Sequence, residues 1–330
     1  MRLPAAQSLL HGMVASYLVL AGLAVGIPLT QSEAPKLHGN WSRRAPLPTK
    51  RGEVAVAELG RKIYVLGGTA LGKSASQLNQ EYDPTEDRWR DRAPIPHAVT
   101  HAGAVGFNDK LYVIGGFTRD VHVGALNLVF EYDLATDSWR QLAPLSSPRG
   151  SVGVAVVGGK IHAIGGRGLD KVTVATHEVY DPSSGKWNEA APLPTARDHM
   201  GVIVVDGKIH VIGGRTADSS DNTNLHEVYD SAANSWQSAA ALPTARSSGA
   251  AVHYQGLILY AGGECKRGET FSETEAYDPK TNRWLMLAPL PAGRHGFGAA
   301  VVGQYAYFVG GAVGCGGGSL SDELLVFRQP

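Results

Sequence analysis

"KIHVIGGRT", Lys208 to Thr216, is a short apolar run that carries one histidine and is stopped by two glycines. A strand gains little from ending on Gly-Gly, where the backbone is loosest and no side chain packs. Five further copies stand elsewhere: "KIYVLGGT" from Lys62, "KLYVIGGF" from Lys110, "KIHAIGGR" from Lys160, "LILYAGGE" from Leu257 and "YAYFVGGA" from Tyr305. Six copies make the repeat the unit of reading.

Each unit has three landmarks. The second glycines are Gly68, Gly116, Gly166, Gly214, Gly263 and Gly311. Tyr82, Tyr132, Tyr180, Tyr229 and Tyr277, each followed by Asp, come next, with Phe327 in the sixth place. Trp41, Trp89, Trp139, Trp187, Trp236 and Trp284 are all the tryptophans of the chain. Every such Tyr precedes its Trp by seven residues, and every Trp precedes the next first glycine by 26. Only the Gly-Gly to Tyr stretch changes length, from 14 to 16 residues. The frame is rigid and has one adjustable segment.

Between landmarks the chain reads as four short strands, a to d. "GVIVV" at Gly201 to Val205 is strand a, and Asp206-Gly207 suits a two-residue hairpin because both positions tolerate positive φ. "KIHVI" is strand b, strand c ends on Tyr-Asp, and a turn such as "DPSSGK" leads to strand d at Trp187. Four antiparallel strands recurring every 48 to 50 residues describe a propeller blade.

The Gly-Gly, Tyr and Trp landmarks resemble the kelch repeat, over roughly Gly39 to Phe327. The resemblance implies an all-β, six-bladed propeller of the exported, bacterial, stand-alone kind, with Gly-Gly where strand b leaves the sheet beside the crowded axis. Trp41 lacks strands a to c before it, and the sixth unit lacks a Trp after Phe327. The strand holding Trp41 is therefore expected to close the sixth blade and remove a free sheet edge.

Residues 1–34 read differently. Met13 to Ile27 is apolar but for Ser16 and Tyr17, and Pro28 ends it. That run is short for a spanning helix and fits a signal peptide, with a retained N-terminal anchor as the alternative. The expected organisation is a leader over 1–34 and a propeller over 35–330, in an exported, periplasmic or secreted protein. Lys plus Arg and Asp plus Glu number 30 each, with no basic stripe, so nucleic acid is discounted as a partner. A membrane enters only through a retained leader, and a monomer is expected.

Strand direction puts the d–a and b–c connections on one face, and loops are where a repeated scaffold carries function. Ten residues after each Trp stand Arg51, Val99, Arg149, Arg197, Arg246 and Arg294, read as a framing device, with an anion-attracting ring as the alternative. Positions that break the repeat are the candidate ligand contacts: Glu53, His101, Asp198, His199 and His295 beside the Arg ring, and Arg167, Arg215 and Glu264 directly after Gly-Gly. Arg167 and Arg215 are expected on exposed loops, so that their replacement changes binding and not stability. In peptide-binding kelch proteins these ring positions line the pocket. The expected ligand is a protein or peptide segment, or a glycan.

His162 and His210 occupy the strand-b place held elsewhere by Tyr64, Tyr112 and Tyr307, which reads as packing. Whether His101, His199 and His295 converge depends on loop reach, and no metal or cofactor is expected. No nucleophile elbow, phosphate loop or zinc-protease helix occurs, nor a convincing ligand set for the copper-radical oxidases built on propellers. The alternative to a binding module is a small sugar-isomerising (mutarotase- or epimerase-like) kelch enzyme using Arg167, Arg215, His199 or Glu264 for acid/base chemistry. Cys265 and Cys315 are the only cysteines, both on b–c loops of adjacent blades, and are the candidate disulfide in an oxidising compartment.

Overall fold

Strand a of the fourth unit, Gly201–Val205, pairs antiparallel with strand b, Lys208–Ile212, which pairs with strand c, His226–Asp230, and that with strand d, Ser235–Ser238. The structure is a computed structural model that describes residues 38–70, 74–119, 122–266 and 268–329. The leader assigned to 1–34 lies outside them. Six four-stranded sheets of the same a–b–c–d order make up the unit Leu37–Pro330. Among the described residues helix is limited to three short 3₁₀ turns, and no helix is long and apolar enough to cross a membrane.

The sixth sheet is assembled from both ends of the chain. Its strands a, b and c are Gly298–Val302, Tyr305–Val309 and Leu324–Arg328, and its outer strand is Asn40–Arg44, with Trp41 opposite Phe327. The expected N-terminal closure is what the structure has.

The landmarks hold one blade to the next. Each Trp indole donates to an alanine carbonyl of the preceding blade: Trp89 to Ala45, Trp139 to Ala93, Trp187 to Ala143, Trp236 to Ala191 and Trp284 to Ala240, all at 2.8–2.9 Å. The rings pack on the landmark tyrosines at centroid separations of 5.0 to 5.3 Å. The five arginines are fully buried framing residues. Arg246 donates to the carbonyls of Gly262 and Tyr260 and pairs with Glu275; Arg149, Arg197 and Arg294 pair with Glu178, Glu227 and Glu323. Arg51 bonds the Gly67 carbonyl and Gln80 instead.

The Gly-Gly pair now has a physical cause. Gly213 and Gly214 have φ of 63° and 91°. A Cβ on the first would stand 2.5 Å from the Arg246 carbonyl of the next blade, and one on the second 2.8 Å from the Asp198 carbonyl. Gly214 N–H donates to that same Arg246 carbonyl at 3.0 Å, so the close approach is also an inter-blade bond. His162 and His210 are buried and hydrogen-bond His177 and His226 within their own blades, at 2.9 and 2.8 Å. They are packing residues, as the tyrosines are elsewhere.

Candidate functional site

The d–a connections run side by side round one end of the axis, and each presents one residue to it: Glu53, His101, Ser151, His199, Ser248 and Gly296. All six have φ between 50° and 60°. Their backbones bond in sequence, His101 N to Glu53 O, Ser151 N to His101 O, Ser248 N to His199 O and Gly296 N to Ser248 O, at 2.7 to 3.1 Å. The six residues of this collar line a cavity of about 130 Å³ together with Val54, Ala102, Val152, Met200, Gly249 and Phe297.

Asp198 is the hub beside the collar. It is wholly buried, and its two carboxylate oxygens take Arg167 Nε at 2.8 Å, Arg215 Nε at 3.0 Å and a short bond from His199 Nδ1. Arg215 also pairs with Glu264 through Nη1, while its Nη2 stands 3.2 Å from Nε2 of both His122 and His199. Ser151 Oγ lies 3.2 Å from that same His199 Nε2. On the far side Glu53 reaches His101 Nε2 at 3.3 Å and His295 Nδ1 at 3.2 Å, and His295 Nε2 bonds the Gly314 carbonyl at 3.1 Å.

Charge in this space is set by neighbours. Burial alone would raise Glu53 and Asp198, but the imidazoles of His101, His295 and His199 outweigh it at Glu53, and His199, Arg215 and Arg167 outweigh it at Asp198. Both are held well below the usual carboxylate range. His295 is raised, burial being outweighed by Glu53 and Glu264. His122 is pushed down to about 2, by burial first and then by His199, His101 and the two arginines. It is a neutral imidazole at ordinary pH.

All eight ligand-contact residues singled out from the sequence lie on this face, and Arg167, Arg215, Asp198, His199 and Glu264 form one bonded group. One expectation needs correcting, and one open question is answered. Arg167 and Arg215 are not exposed loop charges: they are 6% and 4% exposed, and Asp198 holds both guanidinium groups. The histidines that meet are His101, His199 and His122, all with a ring nitrogen within 4.8 Å of the others, whereas His295 is turned to Gly314 and Glu53. His122 does carry a signal in the sequence. It is the only histidine in any of the six segments between Gly-Gly and strand c. Ser151 and Ser248 are visible as departures from the repeat, but nothing in their own type marks them.

Cys265 and Cys315 Sγ atoms are bonded, their Cα atoms 5.5 Å apart; Cys315 is on the b–c connection of blade six, but Cys265 is not on a loop as expected, since strand b of blade five runs on through it, Leu257–Lys266.

The family model of the Attractin/LZTR1 β-propeller matches residues 63–321 of this chain. Among solved structures, one titled "Structure of YjhT" is similar in fold, with a TM-score of 0.75 and 18% identity, covering 86% of this chain and 97% of that one. No curated protein matches the chain.

Proposed function

The chain belongs to the Attractin/LZTR1 β-propeller family, of kelch type, and on that premise we propose that it is an exported binding module taking a protein segment or a carbohydrate on the face of the d–a and b–c loops. The observation that carries this reading is the buried Arg215–Asp198–Arg167 group with His199 and Glu264. Desolvating charges costs several kcal/mol per ion, and paired burial is no better than apolar packing. The repeat does not require it either, since three of the other blades have Thr69, Phe117 and Ala312 at the Arg167 and Arg215 place, and the fourth has Glu264, which belongs to the group. A costly arrangement that the frame can do without is best explained by a ligand. Propellers of this kind generally mediate protein interactions, which favours a peptide over a glycan.

A screen of peptide and glycan arrays with the chain lacking residues 1–34, followed by titration of each hit, tests this. Saturable binding that Arg215→Lys weakens at least about tenfold, with the fold retained, supports the reading; no saturable partner, or equal binding by the variant, counts against it. The sugar-isomerising enzyme is kept as a second reading on one observation. His199 has Nδ1 on Asp198 and Nε2 beside Ser151 Oγ, the arrangement of an oriented general base. Turnover of a bound sugar would choose it over the module.

A further inference from the structure

Three imidazoles meet above the collar. The ring centroids of His101, His122 and His199 are 4.9, 5.1 and 5.3 Å apart, and each pair is steeply inclined. A tetrahedral ion with Zn–N bonds of about 2.0–2.1 Å needs its donor atoms about 3.3–3.4 Å apart and its imidazole centroids about 5.2 Å apart. His122 Nε2 and His199 Nε2 are 3.4 Å apart, and Glu53 Oε2 is 3.3 Å from His101 Nε2. We propose that His101, His122 and His199 bind a first-row divalent metal ion, Zn²⁺ fitting best, with Glu53 as the adjoining oxygen donor.

A ligating histidine's remote nitrogen is ordinarily fixed by a carboxylate, a backbone carbonyl or water, and here a carboxylate and a hydroxyl fill that place. His199 Nδ1 is held by Asp198, and His101 Nδ1 lies 3.0 Å from Thr100 Oγ1, itself bonded to Thr69 Oγ1 at 2.8 Å. Ring nitrogens of His101, His122 and His199 come within 4.8 Å of one another, that of His101 with Glu53 beside it. Arg215 Nη2 stands 3.2 Å from Nε2 of His122 and of His199. A guanidinium has no acceptor, so both nitrogens present lone pairs, and both already point at one positive group. An ion on the His101 side takes over those lone pairs, while Arg215 keeps Asp198 and Glu264. Glu53 on His101 and Asp198 on His199 place two carboxylates against the three imidazoles. The set draws on three blades, and its histidines all break the repeat, so the frame does not account for them.

The site is independent of which macromolecule docks above it. The test is titration of chelator-stripped protein with Zn²⁺ alone, in competition with a chromogenic chelator, and with Co²⁺ followed by visible absorption. One equivalent should saturate the chain and give the strong visible bands of tetrahedral Co²⁺. His122→Ala should weaken Zn²⁺ binding by about 100-fold or more, and Glu53→Gln by about 10-fold or more, while His253→Ala, at an exposed position, should change nothing. His122 lies on a loop outside the four-stranded sheets, and His122→Asn serves if the alanine variant does not fold. A parent protein with no stoichiometric uptake overturns the proposal whatever the variants do. So does uptake that survives the loss of His122.

Discussion

Trp41 Nε1 donates to the Ala288 carbonyl at 2.8 Å, joining residues 247 apart in sequence. The same bond recurs in every other blade with a partner 44 to 46 residues earlier, so here the chain closes its ring by the device that joins its blades. Trp41 also packs on Phe308 and Phe327 at 5.1 and 5.0 Å. Deleting Leu37 to Ser42 should therefore destabilise the whole propeller, and Trp41→Ala alone should cost about 3 kcal/mol. Thermal unfolding checks both, and a truncated chain that melts with the parent would contradict N-terminal closure.

A second expectation concerns the framing arginines. Arg246 and Glu275 are both wholly buried partners. Arg246→Met should cost about 3–5 kcal/mol by leaving the carboxylate unpaired, and adding Glu275→Gln should recover a substantial part. Denaturant titration of the two variants measures the coupling. Additive losses would mean that Arg246 acts through its carbonyl bonds to Gly262 and Tyr260.

The frame could be read from the chain because its residues recur: a glycine needed for φ and close approach, or an indole needed for one carbonyl, is needed six times. The site was only half readable. Departures from the repeat led to Arg167, Asp198, His199 and Arg215, but spacing says nothing of how a loop of unequal length folds back. So neither the burial of the two arginines under Asp198 nor the arrival of His122 beside His101 could be drawn from sequence. Asp198 takes Arg215 from its own blade and Arg167 from the one before, and His122 reaches His199 from 77 residues away; each depends on the path of a b–c segment, which spacing does not fix.

Stability should fall on mild acidification. Burial, ahead of neighbouring charges, lowers His162, His177 and His210 to about 4 and His226 to about 3. Below the unfolded value of about 6.5 the unfolded chain takes up protons that the folded chain refuses. Folding free energy therefore drops as pH falls from about 6.5 towards 4, on the order of 1 kcal/mol per pH unit for each histidine. His295 acts in the opposite sense, its contribution being lost as pH rises through its elevated folded value. Glu53 and Asp198 add their losses only at lower pH, below the unfolded carboxylate range. Melting curves between pH 5 and 8 should slope upward with pH, and replacing His162 and His210 by Tyr, as in blades one, two and six, should flatten them. A flat profile in the parent would contradict neutral buried pairs.

The Cys265–Cys315 bond closes a separation of 50 residues, worth up to about 4 kcal/mol in the chain-entropy model. Protein taken from its native compartment and denatured without reductant should show no free thiol, and Cys315→Ser should lower the melting temperature under oxidising conditions. Two free thiols would argue against the proposed export.

The most direct test of the binding account is a hydrogen-exchange footprint of whichever peptide or glycan the arrays identify. Protection is expected over the collar and the b–c loops, in particular around Thr100–His101, Arg167, Asp198–His199, Arg215 and Glu264. The a–b hairpins at Asn108-Asp109, Gly158-Gly159 and Asp206-Gly207, on the opposite face, should exchange as in the free protein. Protection confined to those hairpins, with the collar unchanged, would contradict the assignment of the binding face.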